Sequence, residues 1–450
     1  MGATPEEAAP RIARQGSAVD QANPHPLYCV WEITLACDLG CKHCGSRAGA
    51  ARAHELDTAQ CLDTVHQLAA MGFREVTLIG GEAYLREDWD EIAAAITANG
   101  MLCGITTGAR NLTPERIARA VAAGVASISV SVDGLERTHD AQRGAPGAWE
   151  AAVAAMRRIA ATPMRLATNT QVNRLSLPEL GGVADLLLEV GSRAWQVQLT
   201  VPMGRGADRP DLPLQPWELL ELFPLLDWIK TNRLEPGGVT LFPGNNVGYF
   251  GPFEERLRFG GDRGAHWGGC GAGKWCIGVE ADGAIKACPS LPTDDWTGGH
   301  LPARRLEQVV GVAPELTHLQ DRTVDDLWGF CRTCYYADVC KAGCTWTSQC
   351  LLGRPGNNPY CIHRAADFEG RGLRERLVHE TAAPGKPFDY GKFRLDVEAA
   401  PAAEGPPTVG GFSLAEVAAL RWSSGGVWSD AQLREALRRI GRRDVVLLEG

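Results

Sequence analysis

The sequence predicts an α/β fold: a partial barrel of six strand-helix repeats followed by a cysteine-rich region. Three observations predict it. Apolar runs of strand length alternate with helical patterns from Leu27 to Leu241. Capping and glycine signals punctuate them as βα units require. The cysteines gather mainly in two places, one directly behind the first strand and the other beyond residue 269.

In chain order, strands are expected near Tyr28–Leu35, Glu75–Ile79, Met101–Thr106, Ser127–Val132, Arg165–Thr170 and Ala194–Val201, several of them rich in β-branched residues. Asp57-Thr58 opens the first helix, with Leu62, Val65, Leu68 and Ala69 on one face. Another starts at Thr113-Pro114-Glu115, where an N-cap, a first-turn proline and an early acid coincide, and stops at Gly124. Six such repeats imply a parallel sheet curled into a partial TIM-like (β/α)6 barrel, whose chemistry belongs at the C-terminal ends of the strands.

With 450 residues, 45% of them hydrophobic and 22% charged, the chain has room for more than one core. The division expected is an N-terminal extension over 1–26, the barrel over 27–241, a bridging region and cysteine-rich domain over 242–371, and a linker with a small C-terminal helical segment over 372–450. A net charge of −9 gives no basic footprint, so neither nucleic acid nor an anionic membrane is expected as partner. Without a signal-like start or a long apolar run, a cytoplasmic location is expected. Fifteen cysteines in a reducing compartment point to metal ligation rather than disulfides.

The first strand runs into Cys37-x3-Cys41-x2-Cys44. Three thiolates on one short loop can hold three corners of a [4Fe–4S] cluster and leave the fourth iron open. A zinc site with His43 as fourth ligand is the alternative, but a loop at the C-terminal end of a barrel strand favours catalysis.

This loop resembles the signature of the radical S-adenosylmethionine (SAM) superfamily, with His43 where an aromatic residue is usual. Gly80-Gly81-Glu82-Ala83 is similar to the family's Gly-Gly-Glu-Pro segment, with Ala83 in place of proline. The resemblance implies that Gly80, Gly81 and Glu82 meet the SAM amino group. Ser131, in Ser129-Val130-Ser131-Val132-Asp133-Gly134, and Arg143, in His139-Asp140-x2-Arg143-Gly144, look like the segment that binds SAM ribose and carboxylate. Thr106-Thr107-Gly108 is a looser match, with Thr107 where Asn is common.

The second set reads Cys270-x5-Cys276-x6-Gly283-x4-Cys288, then Cys331-x2-Cys334-x5-Cys340-x3-Cys344, and finally Cys361. Eight thiolates suit two four-cysteine cages, and a single zinc ribbon uses only four. The pattern resembles the SPASM domain of peptide-modifying radical SAM enzymes, with Asp282-Gly283 as a hairpin turn. That resemblance implies an auxiliary cluster I on Cys270, Cys276, Cys288 and Cys344, and a cluster II on Cys331, Cys334, Cys340 and Cys361. Cys350 competes with Cys361 for the last place. Cys29, Cys61 and Cys103 are expected to be small buried apolar residues.

By resemblance, then, the chain is an enzyme with three [4Fe–4S] clusters that cleaves SAM reductively to a 5′-deoxyadenosyl radical, which abstracts hydrogen. The implied substrate is a peptide or protein, first of all a ribosomally made precursor. The products would be a cross-link, an oxidation or an epimerised residue, with flavodoxin or ferredoxin as electron donor. Small-molecule dehydrogenation is the runner-up, and a zinc-binding scaffold without activity is the alternative of another class. Relatives among the anaerobic sulfatase-maturing enzymes are expected to carry an aspartate after the third cluster I ligand, as proton acceptor. Here that position is Pro289. An epimerase would need a thiol hydrogen donor, for which Cys350 and Cys103 are the candidates. After about Gly372 the cysteine pattern stops, the segment 399–407 reads as a linker, and Leu414–Leu420 and Ser429–Ile440 read as short helices.

Overall fold

A computed structural model describes residue 20, residues 24–259 and 266–401, and the pairs 408–409 and 412–413. The expected helices Leu414–Leu420 and Ser429–Ile440 and most of the N-terminal extension lie outside the described residues.

Seven strands run parallel in chain order: β1 (Tyr28–Glu32), β2 (Glu75–Ile79), β3 (Leu102–Thr107), β4 (Ser127–Ser131), β5 (Arg165–Val172), β6 (Ala194–Leu199) and β7 (Thr240–Pro243). Helices α1 (Thr58–Ala70), α2 (Trp89–Ala98), α3 (Pro114–Ala122), α4 (Glu136–Arg143), α5 (Ala148–Ala160), α6 (Leu180–Glu189) and α7 (Leu219–Ile229) fill the crossovers. The caps form as the sequence dictates. Asp57 accepts from the Gln60 N–H (2.8 Å) while the Gln60 side chain accepts from the Asp57 N–H (2.9 Å), a reciprocal capping box. Thr113 caps α3, and Gly124 follows it at φ +76°. The buried face of α1 is Cys61, Thr64, Val65, Gln67 and Leu68, leaving Leu62 half-buried.

Alternation gives the sheet two different faces. Cys29, Val76 and Cys103 stand in register on the fully buried face, packed in the same core as helix residues Val65, Ile92 and Ile117. The opposite face is the barrel interior and is polar: Thr77, Ser127, Ser129, Ser131, Asn169, Gln171, Gln196 and Gln198.

The sheet extends past the six expected strands. β7 adds to β6, and β8 (Cys276–Val279) lies parallel to β1 on the other side, continued by antiparallel β9 (Ala284–Lys286) and β10 (Thr297–His300). The cysteine-rich region therefore shares a sheet with the barrel. The turn between β8 and β9 is the predicted one: Gly283 has φ +87° and donates to the Glu280 carbonyl (2.9 Å).

A buried ionic group fastens this junction. Arg52 donates to Glu32 (3.0 Å) and Glu280 (2.7 Å), and fully buried Lys286 also pairs with Glu280. Burial pushes Glu32 up to about 7 despite the Arg52 guanidinium beside it. Removing Arg52 leaves buried Glu32 without its ion-pair partner, while Glu280 keeps Lys286. Arg52→Ala is expected to cost about 3–5 kcal/mol, read as a lower denaturation midpoint at unchanged slope. A loss below about 0.5 kcal/mol, the range of ordinary surface substitutions, would contradict this reading of the junction.

The stretch from 372 onward, expected as a linker and helical tail, contains a hairpin instead: β11 (Leu373–Thr381) pairs antiparallel with β12 (Lys392–Ala399). Apolar periodicity misses it because ion pairs hold it. Glu398 takes Arg374 (2.6 Å) and Arg376 (2.8 Å) across the strands, and buried Glu375 takes Arg364 (2.6 Å). The connection between the two strands turns back to the barrel mouth. There the Phe388 N–H donates to the Gly45 carbonyl (3.1 Å), and Asp389 pairs with Arg47 (2.9 Å).

Candidate metal and cofactor site

The Cys37–Cys44 loop leaves β1 and is fixed by backbone contacts on several sides. Gly40 and Lys42 donate to the carbonyls of Arg143 (3.0 Å) and Gln142 (2.7 Å) at the end of α4, and Cys37 donates to Gly49 (2.9 Å). Gly144, at φ +67°, permits this: a Cβ there would lie 2.5 Å from the Gly40 carbonyl oxygen. Arg205, from the segment after β6, donates to the carbonyls of Cys41 (2.7 Å) and Ala48 (2.9 Å). All three thiols reach one apolar seat formed by Leu39, Ala145 and Ala148.

Burial without a neighbouring cation raises the Cys37 thiol to about 12. Cys41 is raised as well, by burial that Arg143 only partly offsets. Three thiols gathered on one short, braced loop against an apolar seat are what an iron-sulfur cluster demands of its ligands. The donor set fits the group.

The Gly80-Gly81-Glu82 segment lies against this loop. Cβ atoms at Gly80 and Gly81 would fall 2.2 Å from the Thr34 oxygen and 2.1 Å from the Ala36 oxygen, so the glycines serve close backbone packing. The N–H groups of Gly81 and Glu82 are spent on Thr34 (2.9 Å) and Ala36 (2.8 Å). The Glu82 carboxylate, 2% exposed, accepts from the Thr107 hydroxyl and the Gly108 N–H (2.6 Å). Burial pushes it up to about 7 against those two hydrogen bonds. Glu82 nevertheless stands at the triplet: ligand atoms of Cys37, Asp38 and Glu82 lie within 4.8 Å of one another.

Arg143 stands at the triplet as well. Its guanidinium is buried, paired with Asp133 (2.6 Å) and donating to the Cys41 sulfur (3.6 Å). His43 turns Nε2 to the same Asp133 (3.1 Å), which commits that ring nitrogen away from a metal. Burial alone would raise the Asp133 carboxyl, but Arg143 and His43 hold it below the usual carboxylate range. Ser131 ends β4 on the interior face, half-buried and in register with Asn169. Sequence reasoning gave Asp133 no role of its own and missed Arg205. An acid at the end of β4, ten residues before Arg143, was a usable signal for the first; nothing local marks the second.

The later cysteines form two groups. Cys288 lies within electrostatic reach of Cys276 and Cys344, and Cys270 of Cys344 and Cys288, with Cys270 and Cys288 each raised to about 12 chiefly by burial. Cys331, Cys334, Cys340 and Cys361 line one apolar cavity with Tyr249, Phe250 and Tyr336. Cys350 is elsewhere, packed with Val201, Met203 and Phe388. Cys103, the other candidate hydrogen donor, is on the helix side of β3 in the core, away from the interior face. Cys29 and Cys61 are buried in that core too.

Residues 31–170 match the sequence model of the radical SAM superfamily. Over 399 residues the chain is 29% identical to the mycofactocin maturase MftC of Mycobacterium ulcerans, covering 86% of this chain and 98% of that protein. It is also 29% identical over 350 residues to an AdoMet-dependent heme synthase of Methanosarcina barkeri, covering 75% and 97%. Among solved structures, Streptococcus suis SuiB bound to its precursor peptide SuiA aligns with TM-score 0.60 at 15% identity, over 76% of this chain and 78% of that one. Among the described residues, no helix is long and apolar enough to cross a membrane.

Proposed function

Taking as premise that this chain is a radical SAM enzyme, we propose that it is a peptide maturase with one SAM-binding and two auxiliary clusters. The observation that carries the reading is the convergence of Cys37, Cys41, Cys44 and Glu82 at the C-terminal ends of β1 and β2, above an interior lined by hydroxyls and amides. When bound, a [4Fe–4S] cluster with SAM supplies an electron and a 5′-deoxyadenosyl radical able to take hydrogen from an unreactive carbon.

The chain's own residues do the rest. Cys37, Cys41 and Cys44 would hold three irons, and the hydrogen bonds from α4 and Arg205 fix the loop that presents them. Asn169, Gln171, Gln196 and Gln198 would offer donors and acceptors to a neutral chain of amides, and Gln171 donates to Gln198 (3.4 Å) in the free protein. A tetrapyrrole bearing several carboxylates is the second reading, favoured by the likeness to the heme synthase. Those four side chains carry no charge, which favours the peptide. Flavodoxin or ferredoxin would supply the electron.

Co-expression with a short precursor peptide encoded beside it, followed by mass analysis, tests the substrate class. A loss of about two hydrogens marks oxidation or cross-linking, and unchanged mass with altered stereochemistry marks epimerisation. Turnover of a porphyrin carboxylate with no change in any peptide would decide for the second reading. For the auxiliary set, Cys361→Ala is expected to lose up to about four irons, whereas Cys350→Ala keeps the full content. The reverse pattern would move the last ligand to Cys350.

A further inference from the structure

Arg322 is a buried cation without a carboxylate of its own. It is 6% exposed, and its Nη1 donates to two neutral groups, the Thr345 hydroxyl (3.1 Å) and the Lys341 carbonyl (3.4 Å). Among the described residues no carboxylate stands at ion-pair distance from it. The acid in its field, Asp326, is exposed and accepts from the Thr323 N–H (2.7 Å). An isolated buried guanidinium is costly, so a counter-charge is expected beside it. The groups that stand there are thiols. Arg322 lies within electrostatic reach of Cys270 and Cys344, and Thr345, to which it is bonded, directly follows Cys344. As free thiols, pushed up by burial, these two bring no charge; as ligands of a cluster they do. Other buried cations near the later cysteines pair with an acid. Lys286, within reach of Cys288, pairs with Glu280, and Arg258, within reach of Cys340, pairs with Glu254 (3.4 Å). Arg364, within reach of Cys331 and Cys361, makes two bonds of 2.6 Å to buried Glu375.

We propose that auxiliary cluster I is itself the counter-charge of Arg322, and that this unpaired guanidinium raises the reduction potential of cluster I more than that of cluster II. This rests on the reading of Cys270, Cys276, Cys288 and Cys344 as the ligands of one cluster. Four thiolates make a cubic cluster a net anion, and reduction adds one more negative charge. A cation close by in a buried, weakly screened setting stabilises the reduced form more than the oxidised one, so the potential rises. At cluster II the charge of Arg364 is cancelled by Glu375, and no comparable effect acts there. Arg322 thereby shifts added electrons toward cluster I.

The test is an EPR-monitored redox titration of the reconstituted holoenzyme, following the two signals that do not change when SAM is added. Cys361→Ala, which removes a cluster II ligand, assigns the pair. Arg322→Gln is expected to shift the cluster I potential to more negative values by about 59 mV or more, a tenfold change for a one-electron couple. The cluster II potential moves less than half as far, and Arg322→Lys, which keeps the charge, stays nearer the parent. If Arg322→Gln cannot be loaded with iron, a fully loaded Arg322→Lys at a potential near the parent's supports the charge role. Failure of both to load overturns the proposal in favour of a purely structural role. An unmoved cluster I potential in loaded Arg322→Gln would overturn it too, as would equal shifts at both clusters or a lysine variant that shifts as far as the glutamine one. A parent enzyme without two SAM-unresponsive signals would sink the cluster reading, and the proposal with it.

Discussion

Cys37→Ala, Cys41→Ala and Cys44→Ala are each expected to abolish reductive SAM cleavage while the protein folds and keeps auxiliary iron. The three thiols occupy a small seat of their own, with Leu39, Ala145 and Ala148, and the large core of β1–β7 and the helices around them contains none of them. Their loop is held by backbone hydrogen bonds that alanine leaves intact. Each substitution removes one of three attachment points and the negative charge it brings, so no cluster is held in the geometry that presents an open iron. Any 5′-deoxyadenosine above background from one of the three variants would overturn the assignment.

A sulfatase-type Cys or Ser peptide is expected to give almost no formylglycine. By resemblance, that oxidation needs a carboxylate behind the third cluster I ligand to take the substrate proton, and here Cys288 is followed by Pro289. Proline offers neither a titratable group nor an N–H to position a water. A Cβ on Gly278 would meet the Pro289 Cα at 2.5 Å, so this backbone is pressed onto β8. The carboxylate of Glu280, just past β8, is engaged by Arg52, Lys286 and Thr293 (2.5 Å). Losing a general base typically slows such a step by about 10² to 10⁴-fold. Aldehyde formed at a rate comparable to SAM turnover would show that another acid acts as base.

The legible parts of the fold were those in which local signals and tertiary packing agree. β2 matches its expected span and β4 ends one residue early, because β-branched runs lie between strong capping signals at Asp57, Thr113 and Gly124. β7 and the β11–β12 hairpin were missed for different reasons. β7 is four residues long with two exposed side chains, and the hairpin hides its pairing in Arg-Glu contacts that look like a solvated surface. In the site, thiol spacing announced the groups that the structure brings together, since ligands on one loop are close in sequence by necessity. Partner choice was not legible. That Arg143 reaches Asp133 and Glu82 reaches Thr107 depends on how β1, β3 and β4 converge in space.

The most direct test of the account is combined iron, sulfide and 5′-deoxyadenosine analysis of anaerobically purified, reduced enzyme given SAM. Three cubic clusters predict about twelve irons with matching sulfide and 5′-deoxyadenosine formation that depends on the reductant. Zinc without labile sulfide, and no cleavage of SAM, would contradict it.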